Sequence, residues 1–385
     1  KLAAASLELT QHYVAPVCSP TRTGLTTGRC WSRYGVTTPI NERALPPDTV
    51  TLAGALRTRG YQTCLIGKWH LGSKPEWGPN HYGFDHAYGS LAGGVSPWNH
   101  RYKQGPFSVT WHRNGELLEE SGHVTDLLAD EAVQWIESHH QSPFFLYVPF
   151  TAVHLPLREP QPWLDQVPPS IEGEVPRHYA ACIMHLDHAV GRIVDALEKA
   201  GVRDNTLLVF TSDNGGSTAA NNTQPYPDDD CPAGKIPGNN RPLRGEKGAV
   251  YEGGIRVPTL VSWPGNIQPR RNATPAFICD WMPTLCELAD YQPPRDLHWD
   301  GVSIASLLMK DVPPPERSIY IAGPRERTAA LRRGDWKLVA HGEGSSQKFE
   351  LYNIPADISE KTNLAAQHPE RVEQLKTILA EYRGH

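Results

Sequence analysis

Lys68 with His70, then His154, then Asp213 with Asn214, each follow an apolar run of strand character; the runs end at Gly67, near Phe150 and at Ser212. In open α/β sheets ligand groups gather just past the carboxyl ends of strands, so three such groups point to one site. Imidazoles in such a place can move protons near neutral pH. Asp213 and Asn214 are hard oxygen donors, suited to calcium or magnesium and not to a thiolate-seeking metal. Taken singly, each residue has an ordinary reading. A lone histidine after a strand is more often a surface or capping residue, and Asp213-Asn214-Gly215-Gly216 has the composition of a turn. Lys68 and Lys247 are by default solvated, and Cys18 is by default a small buried hydrophobe. Their common placement is what argues for chemistry.

The elements that must position these groups alternate between helix and strand, which predicts an α/β fold. YQTCLIG at 61–67 reads as a strand. Val124, Leu128, Ala132, Trp135 and Ile136 share one helical face, and PFFLYVPF at 143–150 follows as a buried strand. A second unit repeats the pattern. Tyr179, Cys182, Ile183, Leu186, Val190, Ile193 and Leu197 form the stripe, Gly201 suits the helix stop, and TLLVFTS at 206–212 is the strand. VPTLVSW at 257–263 is a further strand. LAAASLELTQHYV at the start reads as the tail of a helix entering a strand. From the Pro-rich VPPPE onward the texture changes to SIYIAG, TAALRRGDWKLVAH and FELYNI, then a last helix with Val372, Leu375, Leu379 and Tyr382 on one face. The chain therefore divides into a larger unit, 1–311, and a smaller C-terminal α+β unit, 312–385.

Bulk properties narrow the partners. With 385 residues, 39% apolar, and a net charge of −5 from 37 basic and 42 acidic side chains, the chain can bury a large core and offers no basic field for nucleic acid. No stretch approaches the roughly 20 apolar residues of a membrane span, and no signal-peptide pattern is visible. The seven cysteines show no paired CxxC spacing, so neither a zinc site nor a disulfide framework is indicated. Composition is silent on oligomeric state.

Cys18-Ser19-Pro20-Thr21-Arg22, continued by Leu25 and Thr27-Gly28-Arg29, resembles the CxPxR signature of the type I sulfatases. In that family the motif directs oxidation of the cysteine to formylglycine by a formylglycine-generating or other sulfatase-maturing enzyme. GKWHLG (67–72), YGFD (82–85), His154 in TAVHLP, SDNGG (212–216) and PLRGEKGAVYEGGIRVP (242–258) follow in the family's order, so the resemblance covers nearly the whole chain. It implies an alkaline-phosphatase-like central mixed sheet flanked by helices, and hydrolysis of the sulfate ester of a sulfated saccharide or an aryl sulfate. By the same resemblance Cys18 supplies the hydrated aldehyde nucleophile and Arg22 holds it. Lys68 and Lys247 bind sulfate, His70 takes a proton from the hydrate, and His154 with Lys247 serves the leaving oxygen. Asp213, Asn214 and the modified Cys18 would ligate calcium or, alternatively, magnesium. The family's setting implies a periplasmic, secreted or lysosomal location.

The family's metal site also includes two aspartates at the end of a first strand upstream of the signature cysteine, and the sequence starts after that point. The resemblance therefore implies a further segment carrying those ligands and a central strand, without which metal binds weakly. Spacing and the DWMPTL run at 280–285 look most like the arylsulfatase B group, which removes 4-sulfate from N-acetylgalactosamine. Trp98, Asn99 and His100 lie in a loop that could hold a sugar. The insertion 217–241, with Asp228, Asp229 and Asp230, is either a subsite or a solvated acidic loop. Two alternatives remain: a phosphate or phosphonate ester hydrolase of the same superfamily, and a carbohydrate-binding relic without catalysis. Retention of all eight motif residues argues against the relic.

Overall fold

A computed structural model describes residues 2–221, 226, 230–342 and 346–383. Strands β1 (Leu7–Leu9) and β2 (His12–Tyr13) precede helix α1 (Cys18–Thr27); α2 (Leu52–Thr58) leads into β3 (Gln62–Lys68), β4 (His86–Ser90), β5 (Trp111–Arg113) and β6 (Glu116–Leu117). Helix α3 (Val124–His139) then feeds β7 (Phe144–Tyr147), and the short α4 (Gln161–Leu164) and long α5 (Glu174–Lys199) feed β8 (Leu208–Thr211). After α6 (Glu252–Ile255) come β9 (Arg256–Val257), β10 (Thr259–Ser262), β11 (Arg270–Asn272), β12 (Ala276–Phe277), α7 (Trp281–Leu288) and α8 (Ala305–Lys310). Strands β13 (Ser318–Ala322), β14 (Thr328–Arg333), β15 (Trp336–His341) and β16 (Lys348–Asn353) precede α9 (Pro369–Arg383).

The sheets are mixed, with helices on their faces, as the α/β reading requires. One runs β6-β5-β4-β3-β7, with β3 parallel to both β4 and β7. A second runs β11-β1-β10-β8, and a three-stranded piece runs β12-β2-β9. Flanked on both sides, β3 buries all but its first residue, the pattern of a parallel strand covered on two faces. Its apolar residues meet α3, whose Val124, Leu128, Ala132, Trp135 and Ile136 are all buried as the periodicity predicts.

Two expectations about burial need correction. The 143–150 run is not a fully buried strand: β7 is half-buried at all four positions, and β8 is no deeper. Each is the edge of its own sheet. Phe144, Leu146 and Leu208 nevertheless lie in one hydrophobic cluster with α3 and α5, and Phe145, Tyr147 and Val209 pack against another. The two edges thus share both cores without a hydrogen-bonded ladder between them. The second correction is the face of α5. Ile183 is 46% exposed, while His178 and His185 are buried with Ala181, Cys182 and Ala189. The helix is rotated from the purely apolar stripe because polar partners exist for those histidines.

The smaller sheet, β13-β14-β15-β16, is an antiparallel meander. Val372, Leu375 and Leu379 of α9 are buried, and Tyr382 stacks on Tyr320 with ring centroids 5.2 Å apart. One hydrophobic cluster runs from Leu7 through Leu338 to Leu379, so this sheet and the larger unit share a core. Across the seam the Lys337 ammonium lies 2.9 Å from Glu252 and 2.8 Å from Glu360, all three essentially without solvent contact.

Candidate active site

Val17 is extended and Cys18 opens α1, with Pro20 in the first turn, where no intrahelical N–H is required of it. Thr21 ties the entry down: its hydroxyl accepts from the Ala15 N–H at 2.9 Å and donates to the Ala15 carbonyl. Cys18 is therefore held at a helix N-terminus, 2% exposed. One turn later Arg22 reaches across the site. Its Nε and Nη2 donate to Asp213 Oδ2 at 3.2 and 2.8 Å, and Nη1 donates to the Lys68 carbonyl at 2.6 Å.

Lys68 ends β3 with its ammonium 4.0 Å from the same Asp213 oxygen. The preceding Gly67 has φ +134°, and a Cβ there would stand 2.2 Å from the Pro149 carbonyl oxygen, so only glycine admits the close approach of β3 to the segment after β7. Burial draws the Lys68 ammonium down to about 8, with Cys18 and Asp213 opposing and Arg22 and Lys247 assisting. Asp213 is half-buried, and against the desolvation this brings Arg22, Lys68 and Lys247 hold its carboxyl well below the usual range. The charges of Arg22, Lys68, Asp213 and Lys247 thus act on one another.

Both histidines are drawn into the same place. His70 has φ +59°, and its ring lies over Gly93, where a Cβ would be 2.3 Å from the ring; its Nδ1 is buried without a hydrogen-bond partner. Burial, then the charges of Lys68 and Arg22, push its pKa far below the ordinary value, so the ring is neutral and able to accept a proton. His154 donates from Nδ1 to the Leu155 carbonyl at 2.6 Å, leaving Nε2 as its free nitrogen. Burial, then Lys247 and Lys68, lower its pKa as well. Lys247 is anchored through its backbone N–H to Gly216, just past Asn214.

The Asn214 amide donates to the Gly215 carbonyl, which turns Oδ1 away; that oxygen is buried and has no hydrogen-bond partner. An orphaned amide oxygen beside a carboxylate fits a hard cation such as calcium or magnesium. Elsewhere, among the described residues, His123, Asp126 and His185 each offer a ligand atom within 4.8 Å of the others.

The sugar-loop candidates divide. Trp98 is 40% exposed. His100 is buried, stacked on Trp111 and bonded to the Gly122 carbonyl, and so is a packing residue. Asn99 accepts the Arg101 N–H in a turn. Asp228 and Asp229 lie outside the described residues, and Asp230 pairs with Arg158. Sequence reasoning missed Tyr147, whose hydroxyl accepts from Arg22, and Asn240, which grips Gly216 through both its amide atoms. Neither has a motif around it; only the fold brings them in.

Comparison with known proteins bears on the same residues. The C-terminal part, 245–384, matches the family described as N-sulphoglucosamine sulphohydrolase, C-terminal. Mouse arylsulfatase J is 29% identical over 99% of this chain and 71% of its own length, and mouse N-acetylgalactosamine-6-sulfatase is 30% identical over 80% and 61%. The crystal structure of Ps i-CgsB superposes with a TM-score of 0.88 at 30% identity, covering 99% of this chain and 85% of that one, and it is also known in complex with k-i-k-neocarrahexaose. Residues 1–291, which hold every catalytic candidate from Cys18 to Lys247, match the sulfatase family; the chain belongs to it.

Proposed function

We propose that this enzyme hydrolyses sulfate esters of a polymeric sulfated saccharide, with Cys18 in its formylglycine form as nucleophile. The observation that carries the reading is the convergence of Lys68, Lys247 and Arg22 on one buried site around Cys18 and Asp213. Such a concentration of positive charge serves an anion, and a buried thiol at a helix N-terminus gains nothing from it as mere packing.

A maturing enzyme, acting with an external oxidant, converts the Cys18 side chain to an aldehyde, which water hydrates. One hydroxyl of the hydrate attacks sulfur, the sulfur–oxygen bond to the sugar breaks, and the leaving oxygen takes a proton from His154 with Lys247 alongside. The ring of His154 is neutral in the free site, and the incoming sulfate opposes the fields of Lys68 and Lys247, so protonation at Nε2 accompanies substrate binding. His70 then removes the proton of the second hydroxyl, the carbonyl re-forms and sulfate departs. Arg22 keeps the nucleophile and Asp213 in register. A divalent cation held by Asp213, Asn214 and the modified Cys18 would supply polarisation of the nucleophile and screening of its charge against sulfate.

For the substrate, support comes from relatives named N-acetylgalactosamine-6-sulfatase and from a neighbour in complex with k-i-k-neocarrahexaose. The test is sulfate release by protein co-produced with a maturing enzyme. The substrates are 4- and 6-sulfated N-acetylgalactosamine and sulfated galactan oligosaccharides, with matched phosphate esters as controls. Sulfated sugars should be turned over and Cys18→Ala should abolish it. Faster release of phosphate, or full activity in Cys18→Ala, would overturn the proposal.

A further inference from the structure

Between β7 and α4 the chain runs through thirteen residues, 148–160, without helix or strand, and His154 stands in their midst. Irregular backbone keeps one shape only where side chains hold it. Asn221 grips one point, accepting the Leu157 N–H at 2.7 Å and donating to the Leu157 and Pro232 carbonyls. The other grip is ionic. Glu159 is 5% exposed; its Oε2 lies 2.7 Å from His185 Nδ1, its Oε1 lies 3.6 Å from His123 Nε2, and its backbone N–H donates to His178 Nδ1. His185 Nε2 lies 3.1 Å from Asp126 Oδ1.

With a carboxylate at each ring nitrogen, His185 is an imidazolium donating twice, sandwiched between His123 and Trp163 at 4.8 Å each. The His123 Nδ1 accepts the Thr125 N–H, so its Nε2 carries the proton and faces Glu159. With His123 Nδ1 accepting a backbone N–H, the proton on Nε2 occupies the lone pair that a shared cation would need, so the arrangement reads as an ion chain. The chain also reaches the loop around Trp98, whose leading residues Gly93 and Gly94 lie against His70 and His154. Trp98 packs its indole edge-on against His123 at 5.1 Å and donates to the Arg158 carbonyl at 3.2 Å.

We infer that the Glu159–His185–Asp126 chain, with His123, fixes the two walls of the substrate mouth, the His154 segment on one side and Trp98 on the other. Glu159 and His185 are positioning residues that act through the backbone they hold. Buried ion pairs contribute little net stability next to apolar packing, and their best-supported benefit is a specified geometry. The inference rests on the leaving-group reading of His154.

The experiment uses the matured enzyme and His185→Gln, with hydrogen exchange and kinetics on a sulfated sugar and on an activated aryl sulfate. Exchange should quicken in 151–160 and around Trp98. The sugar ester should lose up to about 10²-fold, the scale of a displaced catalytic group, and the aryl ester much less. His154→Ala/His185→Gln should be no slower on the sugar than His154→Ala, because both act through one group. Unchanged exchange, additive losses, or one equivalent of zinc bound by wild type and lost in His185→Gln would overturn the inference. If His154→Ala hurts both esters equally, the leaving-group reading falls, and exchange in 151–160 still decides whether the chain holds the segment. Should His185→Gln not fold, Asp126→Asn, at a half-exposed position, takes its place with the same readouts.

Discussion

Arg22 directs three nitrogens at three partners, Asp213, the Lys68 carbonyl and the Tyr147 hydroxyl, a rigid fork that a lysine cannot imitate. Each charge-assisted bond lost to a buried partner costs about 1.5–3 kcal/mol, so Arg22→Lys should lower kcat/KM roughly tenfold or more on sugar and aryl sulfates alike. His154→Ala should behave differently: a general acid contributes about 10²–10⁴-fold when the departing alkoxide is strongly basic, and little for a nitrophenol. Parallel kinetics on the two esters separates the roles, and a selective loss in Arg22→Lys would contradict them. At this scale much was legible. Cys18, Arg22, Lys68, His70, His154, Asp213 and Lys247 are motif residues, and the fold brings them together. His185 and Glu159 escaped notice because a histidine inside a helix, twenty-six residues from its glutamate, has no local signature; only the spacing of His178 and His185, two turns apart, hinted at a polar face.

Among the elements, α5 carries the largest departure from its expected face, and that departure has a pH dependence. Burial opposes the charge of His185, but hydrogen bonds to Asp126 and Glu159 raise it to about 9. Facing it are His123, which caps α3, and Asp126 of α3, Glu159 from the loop, and Trp163 from α4 with His188 of α5 behind it; Arg192 of α5 also reaches Asp126 and Asp130. A histidine raised in the folded state stabilises fully below its unfolded value, near 6.5, and that contribution is lost as pH climbs through about 9. His123 and His178, lowered chiefly by burial, act in the opposite sense and cost stability only below about 6.5. Wild type should thus lose a few degrees of Tm between pH 7 and 10, and His185→Gln should lose less; parallel pH–Tm curves would refute this. The strands β7 and β8 were placed correctly by composition, yet their depth was not, since a run such as Phe144-Phe145-Leu146-Tyr147 is equally apolar at an edge or at a centre. Neighbours decide burial, and neighbours are non-local.

For the whole molecule, the joint between the smaller sheet and the larger unit is the Lys337 cluster. Glu252 opens α6 just after the Lys247 loop, its N–H donates to Glu360 at 2.7 Å, and Lys337 bridges both carboxylates while Arg256 also reaches Glu252. Lys337→Ala leaves Glu360 buried without its cation and Glu252 with only Arg256, at 3.4 Å, and should cost about 3–5 kcal/mol, measured by denaturant unfolding; a loss below 1 kcal/mol would show that the seam relaxes. The antiparallel meander and its helix were readable from alternation and turn chemistry, while the ion cluster was not, because its members come from three distant segments. The depth of Cys18 also sets an order of events. On the formylglycine proposal, with the side chain 2% exposed and Ser19, Thr21 and Arg22 buried around it, a maturing enzyme would have to grasp CSPTR while the chain is still open. Oxidation and folding are then rival clocks. On that proposal whatever folds first would be sealed as an inert thiol form, the active fraction of a preparation would record how long the nascent chain stayed unfolded, and slowing folding by chaperone or temperature should raise the specific activity of a protein whose final structure is unchanged.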